Sequence, residues 1–216
     1  MRLGTGPTET FIPGKDGWLT LFDGSDMAKW EKAKGADWAL EDGVLAGTKG
    51  EMASRWHWTD FEMVATVRGR GALRFRVSLA PMPDQAGYVL SLTDGTLRKD
   101  AVDGPVLQTG RSSAVKGWRE VRLLVSKGSF TAHFDGQGAA TARDSAYPAM
   151  GYLAFVPEGK RLEIRSLRVR PLNRQKYDNV PAPNSACFVC HANFEKDRIT
   201  RKHVKKDVLC ATCHGP

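Results

Sequence analysis

Outside its last thirty residues this 216-residue chain contains no cysteine. Disulfides therefore cannot staple the front of the molecule, which must rest on a hydrophobic core of its own. No apolar run approaches the roughly 18–20 residues that cross a bilayer as a helix, which argues against a transmembrane segment. The opening stretch, MRLGTGPTETFIPGKDGW, lacks the apolar centre of a secretory signal. Helical periodicity is nearly absent, which argues against a helix bundle or an alternating α/β design. Acidic residues are the minority, 24 Asp+Glu against 32 Lys+Arg, giving a net charge of +8. Such a balance calls for an anionic partner, surface or cofactor. Methionine does not recur after Met150, so nothing later in the chain can supply a thioether ligand.

What is present is rich in turns and short alternating runs. There are 22 glycines, 11 prolines and 6 tryptophans. WLTLF (18–22) alternates with period two, as a half-buried strand does. DWALEDGVLAGT (37–48) reads as two strands around an Asp42-Gly43 hairpin turn. FEMVATVRG (61–69) and ALRFRVSLA (72–80) read as two strands joined by a glycine-rich turn. In the second, Leu73, Phe75 and Val77 share one face, and Arg74 and Arg76 the other. GYVLSLTDG (87–95) follows, then a looser region to about residue 116. WREVRLLVS (118–126) and SFTAHFDGQ (129–137) pair around Lys127-Gly128. GYLAFVP (151–157) and LEIRSLRVRPL (162–172) close the set, and the apolar phase slips near Arg165-Ser166, as at a β-bulge. About ten strands at such spacing predict a mainly β, two-sheet sandwich.

The predicted organisation is a lead-in (1–15), a β-sandwich (16–172), a polar proline-bearing linker (173–186) and a tail (187–216). The tail has too few apolar residues for a core and is expected to have little regular structure. It holds all four cysteines, in CFVCH (187–191) and CATCH (210–214). Three chemistries compete for them. Disulfides between cysteines three apart leave the histidines without a task. A zinc ribbon with four cysteine ligands fits the interval of 19 residues between Cys190 and Cys210, but needs no histidine after each pair. Covalent haem c uses every side chain. Cys187, Cys190, Cys210 and Cys213 would form thioethers to two porphyrins, and His191 and His214 would bind the irons. This last reading is preferred, and it gives the tail two flat apolar surfaces to wrap. His203, between the motifs, is then the candidate distal ligand of one haem, with the first favoured over the second. The other iron would draw on His57, His133, a neighbouring copy or a removed C-terminal extension, or stay open. The six Lys/Arg of KDRITRKHVKK can pair with haem propionates, which is preferred to nucleic-acid binding.

Residues 16–172 resemble the 3-keto-disaccharide hydrolase family (the domain of unknown function 1080). The resemblance rests on GWLTLFDGSDMAKW (17–30), WALEDGVLAGT (38–48), DFEMVATVR (60–68), GWREVRLLV (117–125), HFDGQ (133–137) and LEIRSLRVRPL (162–172). It implies a concanavalin-like jelly roll. Of the family's polar positions, Asp94 alone has a counterpart, and the sequence shows no acid/base pair for glycoside chemistry. Arg74, Arg76, Tyr88 and Asp94 are candidates to line a concave face, and Trp18, Trp30, Trp38 and Trp118 are assigned to core and edge packing. The tail is similar to the segments with two C-x-x-C-H motifs found in multihaem c-type cytochromes. That likeness implies export to the periplasm or cell surface, with a leader absent from the chain as given.

Three readings of function follow. In the first, this is an exported dihaem electron carrier rather than an enzyme. Its sandwich would be a scaffold or docking module, its partners other redox proteins, and its copies would meet haem to haem in an array or filament. In the second, the sandwich binds or acts on carbohydrate, with auxiliary haems. In the third, the tail is a zinc ribbon without haem.

Overall fold

The structure, a computed structural model, describes residues 16–77, 87–101, 104–112, 116–144 and 151–172, with only the backbone of His57 and Lys160. Among them are thirteen strands and no helix. In chain order these are β1 (Leu19–Phe22), β2 (Trp30–Lys32), β3 (Asp37–Glu41), β4 (Val44–Lys49), β5 (Met52–Trp58), β6 (Phe61–Val77) and β7 (Tyr88–Ser91). They continue with β8 (Leu97–Lys99), β9 (Val106–Gln108), β10 (Arg119–Ser126), β11 (Ser129–Phe134), β12 (Gln137–Arg143) and β13 (Gly151–Pro171).

Two strands run far beyond ordinary length. β6 has 17 residues and β13 has 21, and they pair antiparallel along both halves. The first half of β6 and the second half of β13 lie in one layer, ordered β12-β11-β10-β6-β13, with β1, β4 and β3 beyond. The other halves form the centre of a second layer, ordered β9-β8-β7-β6-β13-β5-β2. The sequence predicted a turn between two strands at 69–71 and a break after Pro157. Instead each pair is one continuous, bent strand. Pairing jumps from Pro157–Gly71 to Leu162–Gly69, so four residues of β13 bulge out at the corner. Gly69 sits there at φ 101°, and a Cβ on it would lie 2.2 Å from the Arg161 carbonyl oxygen. Only glycine fits that corner.

The alternation seen in sequence becomes the core. Phe61, Met63, Ala65 and Val67 of β6 line up with Val121, Leu123 and Val125 of β10, all at most 1% exposed. Leu73, Phe75 and Leu90 face them from the second layer. Across the gap the Phe130 ring of β11 meets Phe75 edge-on at 5.2 Å and lies 4.4 Å from Tyr88. These contacts lock the two layers into a sandwich. The hairpins at Asp42-Gly43 and Lys127-Gly128 have positive φ at both central residues, as type I′ turns require. The expected bulge in β13 falls between Ile164 and Ser166. The stretch that looked loose before residue 116 carries the short edge strands β8 and β9.

Candidate functional site

The outer face of the second sheet is built around Arg74. Its neighbours Leu73 and Phe75 are fully buried, so the pleat turns Arg74 away from the core. In its row stand Val89 of β7 and Arg98 of β8 on one side, and Ala154 of β13 and Ala53 of β5 on the other. The two alanines keep that side low, and Arg74 rises beside them.

Its guanidinium ion-pairs with Glu51, from the turn between β4 and β5, and bonds Asp100, just past β8, at 2.5 Å. The Arg74 side chain is 28% exposed, and those of Glu51 and Asp100 are 16% and 17% exposed. Burial alone would lower the Arg74 pKa, but Glu51 and Asp100 outweigh it and the value is raised. The cation is therefore permanent. Beside it, burial and then Glu51 push the Tyr152 phenol far above its usual range, so it stays protonated and bonds Glu51. The result is one fixed cation between two carboxylates with a phenol alongside, a net negative cluster rich in hydrogen-bond acceptors.

A second cluster lies at the inner edge of the same sheet. Tyr88 is fully buried, and its hydroxyl donates to Asp144 Oδ1 at 2.9 Å. Lys99 Nζ pairs with the other oxygen at 3.0 Å.

Of the four residues proposed for a concave face, Arg74 alone occupies it. Tyr88 points inward and stacks on Phe75 at 5.5 Å. Arg76 adopts φ 52°, which breaks the alternation and turns its side chain in, leaving it 3% exposed. There it bonds Asp60 Oδ1 at 3.0 Å and the Thr59 carbonyl, and burial lowers its pKa against the pull of Asp60. Asp94 caps its own turn: burial pushes its carboxyl up, but hydrogen bonds from the Thr96 N–H, at 2.9 Å, and from Ser91 outweigh it and hold the carboxyl below the usual range. Trp30 and Trp38 are core, as assigned. Trp18 and Trp118 are partly exposed and lie against arginines on the first sheet.

Glu51, Asp100 and Tyr152 were not singled out from the sequence. No periodicity marks them, because three separate connections and strands deliver them to Arg74. His133 sits on β11, beside Arg122 of β10. The proposed cofactor residues Cys187, Cys190, His191, His203, Cys210, Cys213 and His214 lie outside the described residues, as does the linker.

Residues 17–170 match the family model described as a 3-keto-alpha-glucoside-1,2-lyase-like domain. Among curated proteins none is similar enough in sequence to match the chain. A Parabacteroides distasonis protein, provisionally assigned as a glycosyl hydrolase, shares the fold with TM-score 0.59 at 16% identity, over 76% of this chain and 99% of that one. A Bacillus subtilis protein of unknown function with a galectin-like fold gives TM-score 0.58 at 12% identity, over 70% and 94%. The exoplasmic/lumenal domain of VIP36, solved bound to Ca2+ and Man3GlcNAc, gives 0.53 at 13% identity, over 78% and 94%.

Proposed function

Since the chain belongs to the 3-keto-alpha-glucoside-1,2-lyase-like family, we propose that its sandwich binds carbohydrate on the outer face of the second sheet. The observation that carries this reading is the Glu51–Arg74–Asp100 cluster with Tyr152 beside it. Carboxylates fixed by a guanidinium present their remaining lone pairs in set directions, which suits the paired hydroxyls of a sugar ring. Both carboxylates are committed to Arg74 and the Tyr152 proton is held tightly, so the cluster favours binding over proton transfer. The relative solved with Man3GlcNAc has the same fold and is consistent with this use of it.

The test is calorimetric titration of the full chain with neutral oligosaccharides and 3-keto-glycosides, for wild type and Arg74→Met. Binding that disappears in the variant supports the reading. Wild-type protein that binds none of these sugars, or a folded variant that binds them equally well, removes it.

A second reading concerns the tail, and the doubled C-x-x-C-H pattern favours it. Cys187 and Cys190 would anchor one haem c and Cys210 and Cys213 another, with His191 and His214 as axial ligands. His203 would complete one iron. Two bound haems would let the chain carry electrons to other redox proteins or between its own copies, in an exported protein of the periplasm or cell surface. A reduced pyridine spectrum and an intact mass check this directly. A colourless product of bare polypeptide mass, from cells that mature cytochromes, ends the haem reading and leaves zinc to be assayed.

A further inference from the structure

The outer face of the first sheet carries an arrangement that neither reading uses. Glu62 and Glu163 lie low on it, and the exposed Glu120 stands beside Arg122 on β10. Arg68, Arg122, Arg165, Arg168 and Arg170 lie around and above them, with Arg161 reaching Glu163 from the corner. The Glu62 side chain is 2% exposed and pairs with Arg122 and Arg170, which are 53% and 40% exposed. Glu163 is 13% exposed and pairs with Arg68, at 42%. Arg165 and Arg168 are exposed and meet no carboxylate among the described residues. Each lies instead over a tryptophan ring, Arg165 at 4.2 Å from Trp118 and Arg168 at 4.8 Å from Trp18. Arg68 and Arg170 approach the same two rings at 4.6 and 5.0 Å.

A ring beneath a guanidinium holds it in place without neutralising it and leaves its N–H donors unspent. The positions also form a grid. Arg168 and Arg170 are two residues apart on β13, roughly 7 Å. Arg122 shares a row with Arg168 across β6, through Val64, at roughly 10 Å. The face thus presents ordered cations, three of them on that grid, with Glu62 and Glu163 sunk below and Glu120 as an exposed carboxylate at the side.

We propose that this face is a binding surface for a linear acidic polysaccharide, a chain of sugars bearing carboxylate or sulfate groups. Charge complementarity selects a polyanion, and the fork of each guanidinium matches a carboxylate or sulfate. Single-stranded nucleic acid binds through bare aromatic faces, and here each ring is already shared by two arginines. A bilayer calls for protruding apolar groups. Leu124 is the one large apolar side chain exposed among the described residues of β6, β10, β11 and β13.

The experiment uses the full chain, wild type against Arg165→Gln/Arg168→Gln, on immobilised polygalacturonate and dextran sulfate. Neutral dextran, a DNA oligonucleotide and phosphatidylglycerol vesicles are run beside them. The expected result is salt-sensitive binding to the acidic polymers, roughly tenfold weaker in the variant, with an unchanged melting temperature. A third protein, Lys205→Gln/Lys206→Gln, separates the basic tail from the sandwich and is expected to bind nearly as wild type. Equal binding by the arginine variant overturns the proposal, as does loss of binding only in the lysine variant. Tighter binding of DNA or vesicles than of either polysaccharide also overturns it. Arg74→Met retains this binding, so the surface stands or falls apart from the site on the second sheet.

Discussion

On the first sheet a carboxylate, Glu62, lies beneath two guanidiniums, those of Arg122 and Arg170. On the second a guanidinium, Arg74, lies between two carboxylates, those of Glu51 and Asp100. The ingredients are the same and the order is inverted, so the first cluster ends net positive and the second net negative. Register explains the difference. Glu62 stands directly opposite Arg170 in the ladder, so its partners come from neighbouring strands. Arg74 stands opposite Ala154 and Val89, which offer no charge, so its partners must come from a turn and from beyond a strand end. An ion pair made within a sheet is braced by the sheet. One made across connections depends on those connections holding their places.

The severest way to break the contrast is to undo the corner that separates the two faces. Gly69→Val puts a β-branched side chain at φ 101° against the Arg161 carbonyl. A loss of about 3 kcal/mol or more is expected, measured by denaturant unfolding, with both faces affected together. Arg74→Met acts on one face alone. It leaves two half-hidden carboxylates without their cation and should cost about 2 kcal/mol by the same measurement. Glu62→Gln is the mirror experiment and should cost less, about 1 kcal/mol, because Arg122 and Arg170 reach water. If Glu62→Gln proved the costlier of the two, the argument from bracing would be wrong.

A finer probe is acid titration of stability. The Arg68 hydrogen bond, and behind it Arg161, hold the Glu163 carboxyl below its ordinary value of 4.5, against the pull of burial. The folded state therefore binds that proton more weakly than the unfolded chain does. The stabilisation is complete above about pH 4.5 and fades as pH falls through the lower folded value. Melting curves at stepped pH should show wild type losing more stability than Glu163→Gln below that point. Smallest of all, Trp118→Leu should shift stability by under about 1 kcal/mol. Its sharper effect would be to loosen Arg165 and weaken binding to acidic polymers.

The parts of this fold that the sequence made readable are those with a local cause. Asp42-Gly43 announces a type I′ turn because Asp-Gly tolerates positive φ at both places, and Lys127-Gly128 is placed by the two alternating runs it separates. The slip at Arg165 is visible because a bulge reverses the apolar phase. The continuity of β6 through Gly69 is not readable, since a glycine that bends a strand and one that ends it look alike until the Arg161 carbonyl is seen above it. Arg76 misled for a related reason. Alternation assigns it outward, and a single positive φ sends it in to Asp60. Of the site on the second sheet, Arg74 alone had a periodic signature. Glu51, Asp100 and Tyr152 lie 23, 26 and 78 positions away from it in sequence, and pairing brings them together only in three dimensions.

The chain leaves the sandwich at the end of β13, the strand that runs through the middle of both layers. The Leu172 N–H is fastened to the Asp60 carbonyl at 3.0 Å, where β6 begins. Tension on the following segment would therefore enter the molecule at its longest strand, whose rungs to β6 would resist in shear, many at once. A peripheral strand would have peeled one rung at a time. Any load arriving through that segment would fall on the part of the described fold best able to bear it.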